Sequence, residues 1–286
     1  MTPQYPVLVL CGSDQKRRQL LEELDPEHKY TSKALLPFVG KRVIDWQLEA
    51  LHASPFVKDI YLLGLNDQEI KFEVPVHPVP ITPTSSQLEK LEAGLAYLKY
   101  QGENPAMVII STSDTPGITT TSINQFFEAV RENPEADVII SGVSLGPTEK
   151  LFPNHGRVVG HLKEDDLYPG EMFALTPRAI RDGKMVIQEL SARRRKFNRQ
   201  VKNVSLGPLI RYIARKPSLW GMILKYLTGQ LSLLDAERSL SKAFKLNVKA
   251  VIINDPGFGM DMDLPEDFQR LEEYVLKTKI SERSRT

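Results

Sequence analysis

Cysteine is almost absent: Cys11 is the single one in 286 residues, so no intramolecular disulfide and no cysteine-based zinc site can form. That suits a reducing compartment, and a cytoplasmic location is the expectation. Charge of either sign is not in excess. The formal net charge is +1, which gives the molecule as a whole no attraction to nucleic acid or to a membrane. The opening MTPQYPVLVL has no cationic region ahead of an apolar core of signal-peptide length and reads as a first strand. Internal repeats and low-complexity tracts are lacking. The longest apolar stretch, residues 209–234, is broken by Lys216, Lys225 and Gln230, too often for a transmembrane helix. What is present is 41% hydrophobic residues, enough to bury the core of one large α/β domain or two small ones.

The chain is organised around residues 108–118, VIISTSDTPGI. Val108, Ile109, Ile110 and Ser111 form a short buried-strand pattern, and Pro116-Gly117 end it, which delivers Asp114 at the strand's carboxyl end. Ligands bind at that edge of an open α/β sheet. A carboxylate there is poorly solvated and needs a cation or donors beside it. It reads either as a Mg²⁺ ligand holding nucleotide phosphates or as a cap for a helix beginning near Ser122.

Upstream, residues 6–10 form the first strand, and the Cys11-Gly12-Ser13-Asp14 turn leads into Lys16, Arg17 and Arg18. A small-residue turn after a strand admits a phosphate to backbone N–H groups, with arginines adding charge-assisted bonds; an ordinary βα turn is the plainer alternative. Lys33 precedes the run Ala-Leu-Leu-Pro-Phe-Val-Gly40, where Gly40 allows a tight bend before an amphipathic helix at 43–53. A lysine there can reach a phosphate as a point charge or stay a solvated loop residue. A strand at 59–65 completes a βαβ unit. Four prolines between 74 and 86 give an extended loop ending in Thr84, Ser85 and Ser86, ahead of a helix at 87–100 with Leu88, Leu91, Leu95 and Leu98 on one face.

Past Asp114 the pattern gives a helix at 122–131 and a strand at 136–144. Edge or return strands follow at 158–160 and 172–175, with a charged turn at 163–166. Residues 181–225 carry twelve Lys or Arg against two acids. They read as part of an inserted basic helical subdomain, 181–246, either a cationic surface for an anionic or membrane-surface partner or a set of solvated helix faces. The chain then returns with a strand at 248–253 and Gly259-Met-Asp261-Met-Asp263-Leu-Pro. Two acids two residues apart share one side of an extended segment. They repel unless a cation lies near, which favours a metal site; Asp263 could instead cap a helix at 265–275. The tail 277–286 is polar and expected to be disordered.

The order of strand, LCGS turn, KALLPFVGKRVIDWQLEAL, strand, STSDTPGIT and GMDMDLPEDFQRL resembles the MobA-like nucleotidyltransferases, over about residues 5–180 and 247–276. The resemblance implies an α/β fold, a Rossmann-like mixed sheet of glycosyltransferase-A type. The core would be 1–180, completed by 247–276 after the 181–246 insertion. It implies NTP phosphates cradled by Leu10, Cys11, Gly12 and Ser13, with Arg17 or Arg18 standing in for the family arginine and Ser13 replacing a usual glycine. Lys33 would contact those phosphates, and Thr84, Ser85 and Ser86 would lie near the base or ribose, N-capping being their other use. Residues 168–178 would pass beneath the acceptor. Asp114 would bind Mg²⁺, with Asp263, or failing that Asp261, as second ligand. The activity implied is transfer of an NMP group from an NTP to a small phosphorylated acceptor with release of pyrophosphate. A sugar-nucleotide-dependent glycosyltransferase and a non-catalytic nucleotide-binding protein of the same fold are the alternatives.

Overall fold

The computed structural model describes residues 3–12, 19–65, 70–153, 159–184, 187 and 216–283. An eight-stranded mixed sheet runs through it. Seven strands lie in the order β10-β7-β9-β6-β1-β4-β5, and β8 pairs off this path with β9. They are β1 (Tyr5–Leu10), β4 (Val57–Leu63), β5 (His77–Val79), β6 (Val108–Thr112), β7 (Val138–Ser144), β8 (Gly160–His161), β9 (Asp166–Leu175) and β10 (Val248–Ile253). A separate two-strand hairpin joins β2 (Pro37–Phe38) to β3 (Lys41–Arg42) through Val39 and Gly40, both with positive φ, as a tight hairpin turn requires.

β1 is parallel to β4 and β6, and β7 to β10. The antiparallel β9 lies between β6 and β7. Alternate residues of β1 divide between two cores. Val7 and Val9 pack with Ile44, Leu48, Phe126 and Phe127 on one face, and Leu8 packs with Leu91, Leu98 and Ile180 on the other. Helix Gln87–Tyr100 packs closely because Gly94 puts no side chain against Leu8 and Leu63.

Several expectations shift. The strand expected at 59–65 is β4, two residues earlier. Within the proline-rich loop, His77–Val79 adds a short strand at the sheet edge, where proline is tolerated. Of the edge or return strands expected at 158–160 and 172–175, the first is the two-residue β8, which pairs only with β9, whereas the second is part of β9, an inner strand of ten residues. Pro169 fits there because the β7·β9 register shifts between Ile140 and Gly142, Gly142 standing opposite Pro169. Such a bulge releases a proline from ladder pairing. The helix expected at 265–275 spans Pro265–Arg283, so most of the tail expected to be disordered is helical. Helices Trp220–Leu227 and Leu233–Phe244 precede β10, and the second packs on it through Leu240 and Phe244. The basic run 188–215 lies outside the described residues. No described helix is long and apolar enough to cross a membrane.

Candidate active site

Three segments distant in sequence meet at the carboxyl edge of the sheet. Asp114 follows β6 and is 7% exposed. The helix after it begins at Thr120 with Thr119 as N-cap, so Asp114 does not serve as its cap. The C-terminal segment reaches Asp114 through an alternating pattern. Met260 and Met262 are fully buried in a satellite core with Leu20, Leu36, Phe38, Trp46 and Leu271, and the intervening Asp261 and Asp263 face the other way. The Met262 N–H donates to the Asp114 carbonyl at 2.9 Å, which fixes the two acids on either side of Asp114. Glycines permit this approach: a β-carbon on Gly257 would collide with the Gly117 carbonyl.

One carboxylate oxygen each from Asp114, Asp261 and Asp263 lies within 4.8 Å of the others. Asp261 is 1% exposed. The third segment is the short 3-10 turn Lys33–Leu35, capped by Ser32. The Ser32 hydroxyl also donates to the Gly12 carbonyl at 3.0 Å, tying this turn to the first loop. From it the Lys33 ammonium bonds Asp114 Oδ2 at 2.5 Å and Asp263 Oδ1. Burial by itself would lower the lysine's pKa; the charges of Asp114, Asp263 and Asp261 outweigh it and raise it above the ordinary value. Asp263 is not left to cap the last helix, because Asp267 Oδ2 accepts from the Asp263 and Leu264 amides.

Two positioning residues were not foreseen from sequence. Gln47 is fully buried; its amide donates to Ser111 Oγ at 2.6 Å and the Thr112 carbonyl at 2.5 Å, and its oxygen accepts from Thr115 N. It holds the turn that carries Asp114. Lys90 is buried and donates to the carbonyls of Cys11 and Pro83, each at 2.7 Å. It thereby joins the first loop to the loop before helix Gln87–Tyr100, and a side chain on Gly12 would strike its Nζ. Lys90 stands four residues before Gly94, on the buried face of the helix. Lys90→Met removes both bonds and leaves two carbonyls unanswered, which is expected to cost about 2–3 kcal/mol in a urea titration.

The remaining expected site residues are placed as follows. Leu10 packs against the Leu8 core. Cys11 has its thiol in the core, where burial pushes its pKa up to about 12, and its backbone is committed as well, the N–H to the Leu63 carbonyl at 3.0 Å and the carbonyl to Lys90. Its thiol is expected to resist alkylation at pH 8 in the folded protein and to react on unfolding, a difference that a timed thiol assay reads. Ser86 caps helix Gln87–Tyr100 in a reciprocal pair with Glu89, and Ser85 Oγ lies 2.6 Å from Thr82 Oγ1. Thr84 is exposed beside them. Ser13, Arg17 and Arg18 lie outside the described residues.

The sequence profile of the MobA-like NTP transferase domain matches residues 8–190; the chain belongs to that family and is by family a nucleotidyltransferase. Solved structures share the fold. A hypothetical transferase from Thermus thermophilus is 23% identical, with 93% of this chain and 99% of that one covered and a TM-score of 0.71. A CMP:2-keto-3-deoxy-manno-octonic acid synthetase complexed with CTP is 12% identical, with 96% and 99% covered and a TM-score of 0.57. A homologue of Mycobacterium tuberculosis Rv0371c, from Mycobacterium sp. strain JC1, is 14% identical, with 96% of each chain covered and a TM-score of 0.50. None of the curated proteins matches the chain.

Proposed function

We propose that the protein transfers an NMP group from an NTP to a small phosphorylated acceptor, releases pyrophosphate and depends on Mg²⁺. The observation that carries this reading is the convergence of Asp114, Asp261, Asp263 and Lys33 from three distant segments. Three carboxylates and one ammonium leave a formal charge of −2. Like charges about 4.8 Å apart repel by roughly 3–4 kcal/mol at an effective dielectric near 20, so a single ammonium does not neutralise the cluster. A divalent ion would. The donor set fits a hard one: all ligands are carboxylate oxygens, and Asp114 Oδ1 is buried with no hydrogen-bond partner, a costly state for a carboxylate oxygen.

Asp114, Asp261 and Asp263 would hold the ion, which when bound supplies charge stabilisation and orientation for the phosphates. Lys33 adds positive charge at the same rim. Gly12 and the loop at 82–86, joined beneath by Lys90, would border the nucleotide, with Leu10, Cys11, Ser13, Arg17, Thr84, Ser85 and Ser86 as the further contacts. An oxygen of the acceptor phosphate forms the new bond to the α-phosphorus, the α–β bridging bond breaks, and pyrophosphate leaves with its electron pair. The attacking oxygen is already anionic, so no dedicated base is needed, and positioning and electrostatics supply most of the rate. The synthetase complexed with CTP supports an NTP as donor.

The test is a pyrophosphate-release matrix of the four NTPs against phosphorylated small molecules in Mg²⁺, with UDP-sugars in parallel. Release with one NTP–acceptor pair supports the proposal. Sugar transfer, or NTP binding without any release, would replace it with one of the alternatives.

A further inference from the structure

The carboxyl ends of β1 and β4 and the loop that follows β5 close around one ammonium. Lys90, the fourth residue of helix Gln87–Tyr100, is buried. Its Nζ donates to the Cys11 carbonyl, just past β1, and to the Pro83 carbonyl, just past β5, each at 2.7 Å. Two glycines make room for it. A β-carbon on Gly12 would lie 2.7 Å from Nζ, and one on Gly64, which follows β4 with φ +98°, would lie 2.9 Å from Cε and 3.0 Å from Nζ. An ammonium buried in the opening turns of a helix, at the positive end of its dipole, is a costly choice for stability alone. What the choice achieves is a bond to each of two loops at once.

We propose that Lys90 is a positioning residue for the nucleotide: it fixes the separation between the first loop, at Cys11-Gly12, and the loop at 82–86, so that a single NTP meets both. The inference rests on the reading of these loops as the borders of the nucleotide. Each loop is held as a unit on its far side. The Gly12 carbonyl accepts from the Ser32 hydroxyl at 3.0 Å, and Ser32 caps the turn that carries Lys33. In the other loop the Ser85 N–H donates to the Thr82 carbonyl at 3.1 Å, and their hydroxyl oxygens lie 2.6 Å apart. Lys90 is the side chain that joins the two units. A ligand whose two ends engage two sites gains from their linkage only when the spacing of the sites matches its own. Fixing that spacing before the ligand arrives removes the ordering cost from binding. Lys90 thus acts through the loops rather than through contact with the NTP.

The test uses the full chain in Mg²⁺ with no acceptor, so that turnover does not intervene. Dissociation constants are measured for ATP, CTP, GTP and UTP, then for tripolyphosphate and for the nucleoside of the NTP that binds most tightly. In Lys90→Met that NTP is expected to bind about tenfold or more weakly, whereas tripolyphosphate and the nucleoside each change by less than about threefold, because a fragment needs only one loop in place. Lys90→Gln keeps a donor at the position and is expected to fall between parent and Lys90→Met; it gives the reading should the methionine variant fail to fold. A side chain that served stability alone would lower the melting temperature and leave NTP affinity of the folded protein unchanged, and that result overturns the inference. A loss shared equally by the NTP and its fragments overturns it too. A parent that binds none of the four NTPs overturns the nucleotide reading and this inference together, whereas equal NTP affinity in parent and variants overturns this inference alone.

Discussion

Asp114→Asn is expected to lower NTP-dependent pyrophosphate release by about 10³-fold or more, with the melting temperature little changed. Loss of one preorganised charge at a phosphoryl-transfer site costs about 10²–10³ in turnover. Loss of a carboxylate ligand to a divalent ion also removes positioning. The amide keeps the volume of the acid, and the backbone bond from Met262 N to the Asp114 carbonyl is untouched, so the turn persists. A variant that retained a tenth of the parent rate at saturating Mg²⁺ would remove Asp114 from the chemistry. Because the substitution also weakens the Lys33 contact, the rate is measured alongside circular dichroism to separate lost chemistry from lost fold.

Lys33→Met should behave differently. Without divalent ions it leaves three carboxylates facing one another with no ammonium between them. Breaking a buried pair from one side costs about 3–5 kcal/mol; with the lysine side chain 23% exposed, about 2–3 kcal/mol is expected after allowance for solvent screening. Mg²⁺ should restore much of that loss, since a ligand at a hundred times its dissociation constant stabilises by about 2.7 kcal/mol. It should stabilise the parent less, where the ion must displace an ammonium already in place. Thermal melts in EDTA and in Mg²⁺ read all four values. Equal stability of variant and parent in EDTA, or an equal Mg²⁺ gain in both, would sink this account. The pH dependence has a definite sign. The folded pKa of Lys33 is raised above its unfolded value. Its contribution is therefore complete below about pH 10.4 and is lost as pH rises through the folded value. Between pH 6 and 9 the lysine adds no slope to a stability profile.

Much of the site was legible because its acids stand in patterns that few other roles explain. Asp114 follows a buried strand, and Met-Asp-Met-Asp alternates with period two, so the methionines enter the satellite core and the acids gather with Asp114. Helix Gln87–Tyr100 was readable to the residue because its start carries the Ser86–Glu89 reciprocal cap. Gln47 and Lys90 were not readable. Their partners lie 64 and 79 positions away, and no local pattern marks a polar side chain for a distant carbonyl. Strand β9 was misjudged for a related reason: Pro169 and Gly170 argue locally against an inner strand, and the register shift that admits them belongs to β7 as much as to β9. The helical tail to Arg283 was lost to its polarity; the same helix enters the satellite core earlier, through its own Leu271 and Val275.

The acids come from distant parts of the chain: Asp114 follows the fourth strand of the long sheet, while Asp261 and Asp263 follow the last. A ribosome that has released only the first two hundred residues has made every strand of the long sheet except β10, and one of the three clustered acids. On the proposed reading, ion capture would begin only once Asp261 and Asp263 are made, because a shorter product carries Asp114 alone. Loading with the proposed metal would then report that the last strand, β10, has joined the sheet beside β7.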